Sequence, residues 1–265
     1  MKNIAVIGGT GMKELFSPTV FEQVISLGYQ KVSLEKKESE TPFGTVPIQE
    51  LCLQDAKGER FLITFLHRHH HPNGGTTPPH SLNNKANVMG VTLYNPHTVV
   101  TIHSVGSMHK NFGPGTLGCT KDFIDCTGVV STFYDDDAVH VDLMDHFRAE
   151  LRNLIKPILQ TQRTSNLEME HIHAQMTGPQ FESVAQIKAL QILGATTVGM
   201  TLVPEAKLIA ERGYPQLALL ASSNWASGCS PQGEDAEIEH EKVEEQAQSM
   251  HHLIWQVLIA VLQHS

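Results

Sequence analysis

Several features that define other protein classes are missing from this sequence of 265 residues. It has no run of Lys or Arg and its formal net charge is -9, which argues against nucleic acid or an acidic membrane surface as a partner. Its four cysteines form no CxxC pair and no metal-ligand spacing, so we expect reduced thiols and no disulfide framework. No segment approaches the length of a membrane span, and Lys2 leads directly into a predicted strand rather than a secretory leader. These absences predict a cytoplasmic protein that acts on a small molecule.

The composition is that of a folded α/β protein. Hydrophobic residues make up 40% and charged residues 18% of the chain, which is enough apolar side chain to bury a sizeable core. Strand and helix signals alternate from end to end, without a repeat, a low-complexity tract or a linker. We therefore expect a single domain that spans residues 1–265.

The most informative stretch runs from Met176 to Ala206. Apolar residues recur at helical spacing from Phe181 onward, and Gly194 suits the C-terminal cap of that helix. A short strand should follow, and Pro204 with Glu205 should open the next helix. Thr201 then stands just before a helix N-terminus, where backbone N–H groups and the helix dipole favour an anion such as phosphate. A Thr that only caps the helix is the alternative interpretation.

Two other segments suggest anion binding. The predicted strand Ile4 to Ile7 runs into Gly8, Gly9, Thr10 and Gly11, and glycines there often let backbone amides approach a phosphate. The spacing is not GxGxxG, so a dinucleotide site is weakly indicated, and a plain turn fits equally well. Another predicted strand ends in HRHHH at 67–71, without the carboxylates, cysteines or spacing of a metal site. Its arginine could instead hold phosphate through two parallel hydrogen bonds.

The remaining elements follow from hydrophobic spacing and turn residues. We predict a hairpin with strands at 46–53 and 60–66, strands at 98–102, 171–176, 195–200 and 217–221, and helices at 147–159 and 234–263. A further helix near 78–93 should bury Leu82, Ala86, Met89 and Leu93.

The sequence resembles the trimeric purine nucleoside phosphorylases and methylthioadenosine phosphorylases. The resemblance is carried by GPQFES at 178–183 and VGMTLVPEA at 198–206, with GGTG at 8–11 and TPFG at 41–44 in the family's order. It implies one twisted, mixed β-sheet flanked by helices and a homotrimer with sites near the subunit boundaries. It also implies a nucleoside substrate with phosphate as co-substrate, and neither a metal nor an organic cofactor.

The resemblance also implies roles for individual residues. Asn224 and Glu182 would be catalytic, stabilising charge on the departing base. Phosphate contacts are implied for Thr10, Arg68, His69, His103, Ser104 and Thr201. Nucleoside contacts are implied for Phe181, Met200, Asn224, Trp225, Ala226 and His240.

The pair Asn224 and Glu182 favours a 6-oxopurine base. Relatives that act on 6-aminopurines carry Asp at the position of Asn224 and a second Asp at that of Ala226. An ionised Glu182 can accept a hydrogen bond from the ring N–H of a 6-oxopurine, whereas adenine presents only an acceptor there. The alternative is that Glu182 merely favours the dipole of its helix. We therefore predict phosphorolysis of nucleosides such as inosine and guanosine.

Several departures from the family pattern keep other functions open. His70, Asn84 and His103 replace the usual Gly, Tyr and Thr or Asn, and the loop at 72–77 is slightly longer. A protonated His103 could donate to phosphate and make binding depend on pH, whereas a neutral His103 would be structural. Together these departures would also fit a non-catalytic purine-binding protein.

Two enzyme alternatives remain as well. A methylthioinosine phosphorylase would share Asn224 and Glu182 but prefer an apolar 5′ group. His240 would bind a 5′-hydroxyl or would be an exposed helical histidine. A nicotinamide-dependent dehydrogenase, suggested by the glycine loop, ranks last.

Overall fold

The described part of the chain forms one nine-stranded mixed β-sheet with helices packed against it. The structure, a computed structural model, describes residues 1–17, 24–162, 166–231 and 249–265. The strands are β1 (Lys2–Gly8), β2 (Tyr29–Thr41), β3 (Gly44–Asp55), β4 (Arg60–His67), β5 (Thr98–Ser107), β6 (Leu117–Asp125), β7 (Glu170–Gln175), β8 (Thr197–Gly199) and β9 (Gln216–Trp225). Their order in the sheet is β2-β3-β4-β1-β5-β8-β7-β6-β9.

The described helices connect these strands. They are a short 3-10 helix at Pro79–Ser81 and the α-helices α1 (Asn84–Thr92), α2 (Ala149–Leu159), α3 (Val184–Ile192), α4 (Leu202–Glu211) and α5 (His251–His264). Helix α3 begins with a capping box between Ser183 and Gln186, and Gly194 follows it with a φ of +92°. None of the helices that the structure describes is long and apolar enough to cross a membrane.

The pairing of the strands brings distant motifs together. Strand β1 is parallel to both β4 and β5, and Gly8 is opposite both His67 and Ile102. The glycine loop, the histidine run and His103 therefore emerge side by side at the carboxyl ends of three parallel strands, where α/β folds place ligand sites.

Strand β5 also forms the junction with a second group of strands. It pairs with β8 and β9 as well as β1, so the pairings of β5, β8, β7, β6 and β9 close into a ring. Gly106 in β5 is opposite both Val198 in β8 and Asn224 in β9. This register places Asn224 close to the motif that contains Met200 and Thr201.

Two of the buried clusters pack helices against the two faces of the sheet. One contains Trp255 and Leu258 of α5 together with Ile4 and Val6 of β1. The other packs Val88 and Val91 of α1 and Leu208 of α4 against the opposite face of the sheet. Because side chains alternate between the two faces of a strand, β1 contributes to both clusters.

The mixed α/β fold predicted from the sequence is confirmed, and most element positions agree, but three predictions need correction. Helix α1 buries Ala86, Val88 and Val91, whereas Leu93 is exposed, because α1 lies between the sheet and α4. The strand predicted at 98–102 extends to Ser107. Strands β2 and β6 were not predicted; β2 is an edge strand with mostly exposed, charged side chains. Residues 234–248 of the predicted C-terminal helix lie outside the described residues, and the described part begins at His251.

Candidate functional site

A cavity of about 540 Å³ opens at the carboxyl ends of β1, β4 and β5. Its walls come from the loop after β1, the loop after β4, the carboxyl half of β5, the segment before α3, the turn into α4 and the end of β9. Its lining includes ten of the residues singled out from the sequence: Thr10, Arg68, His69, Ser104, Phe181, Glu182, Met200, Thr201, Asn224 and Ala226.

Thr201 stands at the N-cap of α4 but does not use its side chain as a cap. Its hydroxyl lies 2.8 Å from Nδ1 of His103 instead. The hydroxyl is therefore oriented by a long-range contact, while the backbone N–H groups of the first turn of α4 lack a side-chain acceptor from Thr201. A helix N-terminus of this kind favours an anion.

His103 lies behind Thr201, fully buried and outside the cavity lining. Burial, with the positive charge of Arg68 nearby, lowers the pKa of His103 well below its usual value. The imidazole is therefore neutral at physiological pH, and the interpretation of His103 as a protonated phosphate donor is not supported. Its Nε2 has no hydrogen-bond partner among the described residues and lies 3.8 Å from a carboxylate oxygen of Glu205.

Arg68 is buried and forms a two-pronged ion pair with buried Glu205. Its Nε lies 2.7 Å from Oε1, and its Nη2 lies 2.9 Å from Oε2. The guanidinium also donates to the carbonyl oxygens of Ile102 and Ile7. Four of its five N–H groups therefore have acceptors among the described residues. Burial raises the pKa of Glu205, and the contact with Arg68 opposes that rise. The planar fork that the sequence suggested for phosphate is thus occupied by a carboxylate.

The histidines on either side of Arg68 contribute to the same wall. Nδ1 of His69 lies 2.8 Å from the carbonyl oxygen of Thr77, which ties the loop at 72–77 to the end of β4. Burial, followed by the charges of Arg68 and Lys13, lowers the pKa of His67 to about 4. Within the described residues, no group of three His, Cys, Asp or Glu side chains is arranged to hold a metal ion.

His70 replaces the family's usual glycine without leaving an unsatisfied side chain. Its Nε2 lies 2.9 Å from Oδ1 of Asn87, and Nδ2 of Asn87 donates to the carbonyl oxygen of Arg68. His70 therefore connects the loop after β4 to α1.

Glu182 and Asn224 stand at the other end of the cavity. The carboxylate of Glu182 is buried, and its Oε1 has no hydrogen-bond partner among the described residues. Burial raises the pKa of Glu182. The amide of Asn224 accepts from the hydroxyl of Ser223 and donates to the carbonyl oxygen of Trp225, so one amide N–H remains available. The two side chains thus offer an acceptor and a donor to a planar polar ligand.

Of the other predicted nucleoside contacts, three line the cavity, one lies outside the lining and one falls outside the described residues. Met200 lines the cavity and packs against Gly178. A Cβ on this glycine would overlap the Met200 sulfur. Phe181 is 47% exposed at the cavity wall, and Ala226 is buried. Trp225 lies outside the lining with its ring against Gly113. His240 lies outside the described residues.

Sequence reasoning missed several residues of this site, among them four with polar or charged side chains. Lys13, His67 and Ser223 line the cavity, and Glu205 pairs with Arg68 behind it. A lysine two positions after a glycine loop is a signal that could have identified Lys13. Glu205 was interpreted as a first-turn helix residue, and nothing local indicates a partner 137 positions away.

Comparisons with known proteins match nearly the whole chain. A family description named "Phosphorylase superfamily" matches residues 4–259. "Probable S-methyl-5'-thioinosine phosphorylase" of Methanothermobacter thermautotrophicus is 31% identical over 86% of this chain and 73% of its own length. "Probable 6-oxopurine nucleoside phosphorylase" of Thermococcus kodakarensis is 31% identical over 87% of this chain and 82% of its own.

Solved structures show the same fold. A methylthioadenosine phosphorylase sourced from an antarctic soil metagenomic library has a TM-score of 0.78 at 22% identity, over 99% of this chain and 87% of its own. A methylthioadenosine phosphorylase from Schistosoma mansoni has a TM-score of 0.78 at 20% identity, over 100% of this chain and 91% of its own. With the family match covering nearly all residues, the chain belongs to the phosphorylase superfamily of enzymes.

Proposed function

We propose that the protein cleaves 6-oxopurine nucleosides with phosphate and releases a free purine base and ribose 1-phosphate. The observation that carries this proposal is the buried Oε1 of Glu182, which has no hydrogen-bond partner in the described part of the chain. It lies at the cavity end where Asn224 keeps one amide N–H that no described residue accepts. Relatives named as 6-oxopurine nucleoside and methylthioinosine phosphorylases support a base with a 6-oxo group.

The hydrogen-bonding logic of this end favours one class of base. An ionised Glu182 only accepts, so it matches the ring N–H of hypoxanthine or guanine. The remaining N–H of Asn224 can donate to the 6-carbonyl or to the imidazole-ring nitrogen. Adenine would leave the carboxylate facing another acceptor, and an unpaired buried polar group costs about 1–3 kcal/mol. That cost corresponds to a discrimination of roughly 5- to 150-fold.

The opposite end suits the phosphate co-substrate. The hydroxyls of Thr10, Ser104 and Thr201 lie near the N-terminus of α4 and the glycine loop, where backbone amides and the helix dipole favour an anion. Phosphate held there attacks the anomeric carbon as the bond to the base nitrogen breaks. The sugar becomes oxocarbenium-like, the phosphate charge stabilises it, and Asn224 stabilises the electron pair that moves onto the base.

The sugar would lie between these ends. Met200, which lines the cavity next to Thr201 in the chain, would pack against the apolar face of the sugar, and Phe181 would pack on the base. A second candidate substrate is 5′-methylthioinosine, because several relatives carry that name. It shares the base, so the two candidates differ only at the 5′ group.

The experiment measures release of free base from inosine, guanosine, methylthioinosine, methylthioadenosine and adenosine, each with and without phosphate. Phosphate-dependent cleavage confined to the 6-oxopurines is the expected result, and the ratio of inosine to methylthioinosine turnover decides between the two candidates. Faster cleavage of adenosine or methylthioadenosine would contradict the proposal.

A substitution tests the base contact directly. Glu182→Gln should lower kcat/KM for inosine by about 5- to 150-fold, because the amide presents a donor or a weaker acceptor to the ring N–H. Glu38→Gln, on the exposed strand β2, is the matched control and should leave kcat/KM unchanged. Equal effects of the two substitutions would remove Glu182 from base recognition.

We further propose that the enzyme is a cytoplasmic homotrimer, comprises one nucleoside phosphorylase domain over residues 1–265, and uses no metal or organic cofactor. These assignments rest on the family resemblance. Light scattering should give a mass three times the 29.2 kDa of the chain, and dialysis against a chelator should leave activity unchanged.

A further inference from the structure

The carboxyl group of Glu182 lies buried in the cavity wall without a counter-charge. The residue is 8% exposed, and its Oε1 accepts no hydrogen bond from any described residue. The hydroxyl of Ser227 donates to the backbone carbonyl oxygen of Glu182 and not to the carboxylate. Burial raises the pKa of Glu182, and a hydrogen bond from its own backbone N–H opposes the rise. A buried carboxyl of this kind is costly to keep ionised when a ligand offers it no donor.

The charged and titratable groups around Glu182 do not neutralise it. They are Lys13, His67, Arg68 and His69 in the cavity lining, Lys188 on α3 and Cys229 in the turn after β9. None of them contributes to the shift in the pKa of Glu182. Arg68 is bound to Glu205, and Cys229 lies against Gln191 of α3. In the part of the chain that the structure describes, Glu182 can therefore gain a proton without breaking an ion pair.

Asn224, by contrast, is held in one orientation. Its Nδ2 donates to the carbonyl oxygen of Trp225 at 2.9 Å, and its Oδ1 accepts from the hydroxyl of Ser223 at 3.0 Å. Turning the amide over would set Oδ1 against the Trp225 carbonyl, which can only accept. Asn224 therefore presents a donor to every base, and it can give that hydrogen bond to the imidazole-ring nitrogen that all purines share. Glu182 is the partner that can adapt, by changing its protonation state.

We propose that the base end also admits a 6-aminopurine together with one proton, so that acidification adds adenosine-type nucleosides to the substrates. The inference rests on the proposed function, because it uses the same base end and the same phosphorolysis. The proton comes from solvent and lies between the Glu182 carboxyl and the adenine ring nitrogen that carries no hydrogen of its own. It returns to solvent when adenine leaves. A 6-oxopurine brings its own ring hydrogen and takes up no proton.

Proton linkage fixes the sign and the size of the effect. Inosine requires the ionised form of Glu182, and adenosine requires the same site with one more proton. The ratio of kcat/KM for adenosine to that for inosine therefore rises as the pH falls, by up to about tenfold per pH unit. Near pH 7.5 the ratio stays low, because the ionised carboxylate faces an acceptor on adenine.

The experiment lets inosine and adenosine compete in one reaction with phosphate, at pH 5.5, 6.5 and 7.5 and constant ionic strength. The ratio of hypoxanthine to adenine formed gives the ratio of the two kcat/KM values. Effects of pH on phosphate, on His67 or on folding act on both substrates and cancel. The proteins are the wild type, Glu182→Gln and the matched control Glu38→Gln, whose substitution lies on the exposed strand β2.

We expect the adenosine to inosine ratio of the wild type to rise at least tenfold between pH 7.5 and 5.5, and Glu38→Gln to follow it. In Glu182→Gln the ratio should change by less than about twofold, because an amide does not titrate in this range. Calorimetry of adenine and hypoxanthine binding, in two buffers with different ionisation enthalpies, counts protons without turnover. At pH 6 adenine should take up more than about half a proton and hypoxanthine close to none.

The other outcomes separate this inference from the proposed function. A wild-type ratio that stays constant from pH 7.5 to 5.5, with no proton uptake on adenine binding, would overturn the inference and leave phosphorolysis of 6-oxopurine nucleosides intact. An equal rise in Glu182→Gln would assign the proton to another group and overturn the role of Glu182. Failure to cleave inosine with phosphate would overturn the proposed function, and the calorimetry would still decide whether adenine binds with a proton.

Discussion

Glu205→Gln should destabilise the protein strongly, although the change removes only one charge. The substitution keeps the side-chain shape but leaves the Arg68 guanidinium buried without a counter-charge. The amide also presents N–H groups where Nη2 now donates at 2.9 Å to a carboxylate oxygen. Removing one partner of a buried ion pair typically costs about 3–5 kcal/mol, and the near-zero exposure of both side chains places this pair in that class.

The assay is equilibrium unfolding in urea, followed by circular dichroism at fixed protein concentration. Phosphate and nucleoside are left out because ligand binding would raise the apparent stability. With an m-value of about 3 kcal/mol per M, the midpoint should fall by about 1–1.7 M.

Two matched variants separate the buried charge from other effects. The double variant Arg68→Met with Glu205→Met removes both charges and should regain at least half of the loss, because an apolar pair can replace a buried ion pair. Asp135→Asn breaks the exposed contact with Lys85 and should cost less than about 1 kcal/mol. A free energy of unfolding for Glu205→Gln within 1 kcal/mol of wild type would refute the reasoning.

Two further predictions concern acid stability and the glycine loop. Burial lowers the pKa of His67 to about 4 and those of His171 and His173 to about 3, so the unfolded chain binds protons that the folded chain does not. Their contribution to the free energy of unfolding is complete above pH 6.5. It is lost as the pH falls to about 4 for His67 and to about 3 for His171 and His173, at up to about 1.4 kcal/mol per pH unit for each histidine. Urea midpoints at pH 7.5, 6 and 5 measure how steeply the free energy of unfolding depends on pH. His173→Gln should reduce this slope by the contribution of one histidine, and an unchanged slope would contradict the assignment. Gly9→Ala should lower the free energy of unfolding by about 1–3 kcal/mol and weaken phosphate binding, because the new Cβ would overlap Nη1 of Arg68. Gly75→Ala is the control: its Cβ meets only ordinary contacts, so it should leave the urea midpoint nearly unchanged.

The base end of the site was predicted from the family resemblance together with the chemistry of two residue types. The chemical difference between a carboxylate and an amide is a property of the residues, so Glu182 and Asn224 already indicate an acceptor and a donor. The structure adds that both line one cavity, through the register that sets Gly106 opposite Asn224. It also removes Trp225 from that cavity, because the ring packs against Gly113.

The phosphate end depended much more on the fold. The family resemblance implied Arg68 and His103 as phosphate contacts, yet both side chains are buried and bonded to other groups. Whether a charged side chain meets solvent, a ligand or a buried partner depends on what surrounds it, and a linear sequence does not contain that information.

The sequence by itself determined the local structure, because local conformation depends on neighbouring residues. The capping box at Ser183, the left-handed glycines at 194 and 213, and the helical spacing of Ile187 and Leu190 set element ends and buried faces without reference to the rest of the chain. Only the tertiary structure decided which charges are paired. Arg68 and Glu205 meet because β1 lies parallel between β4 and β5 and α4 packs behind them, a consequence of strand register rather than local pattern. That same packing gives the buried Arg68 its hydrogen-bond partners in Glu205, Ile7 and Ile102.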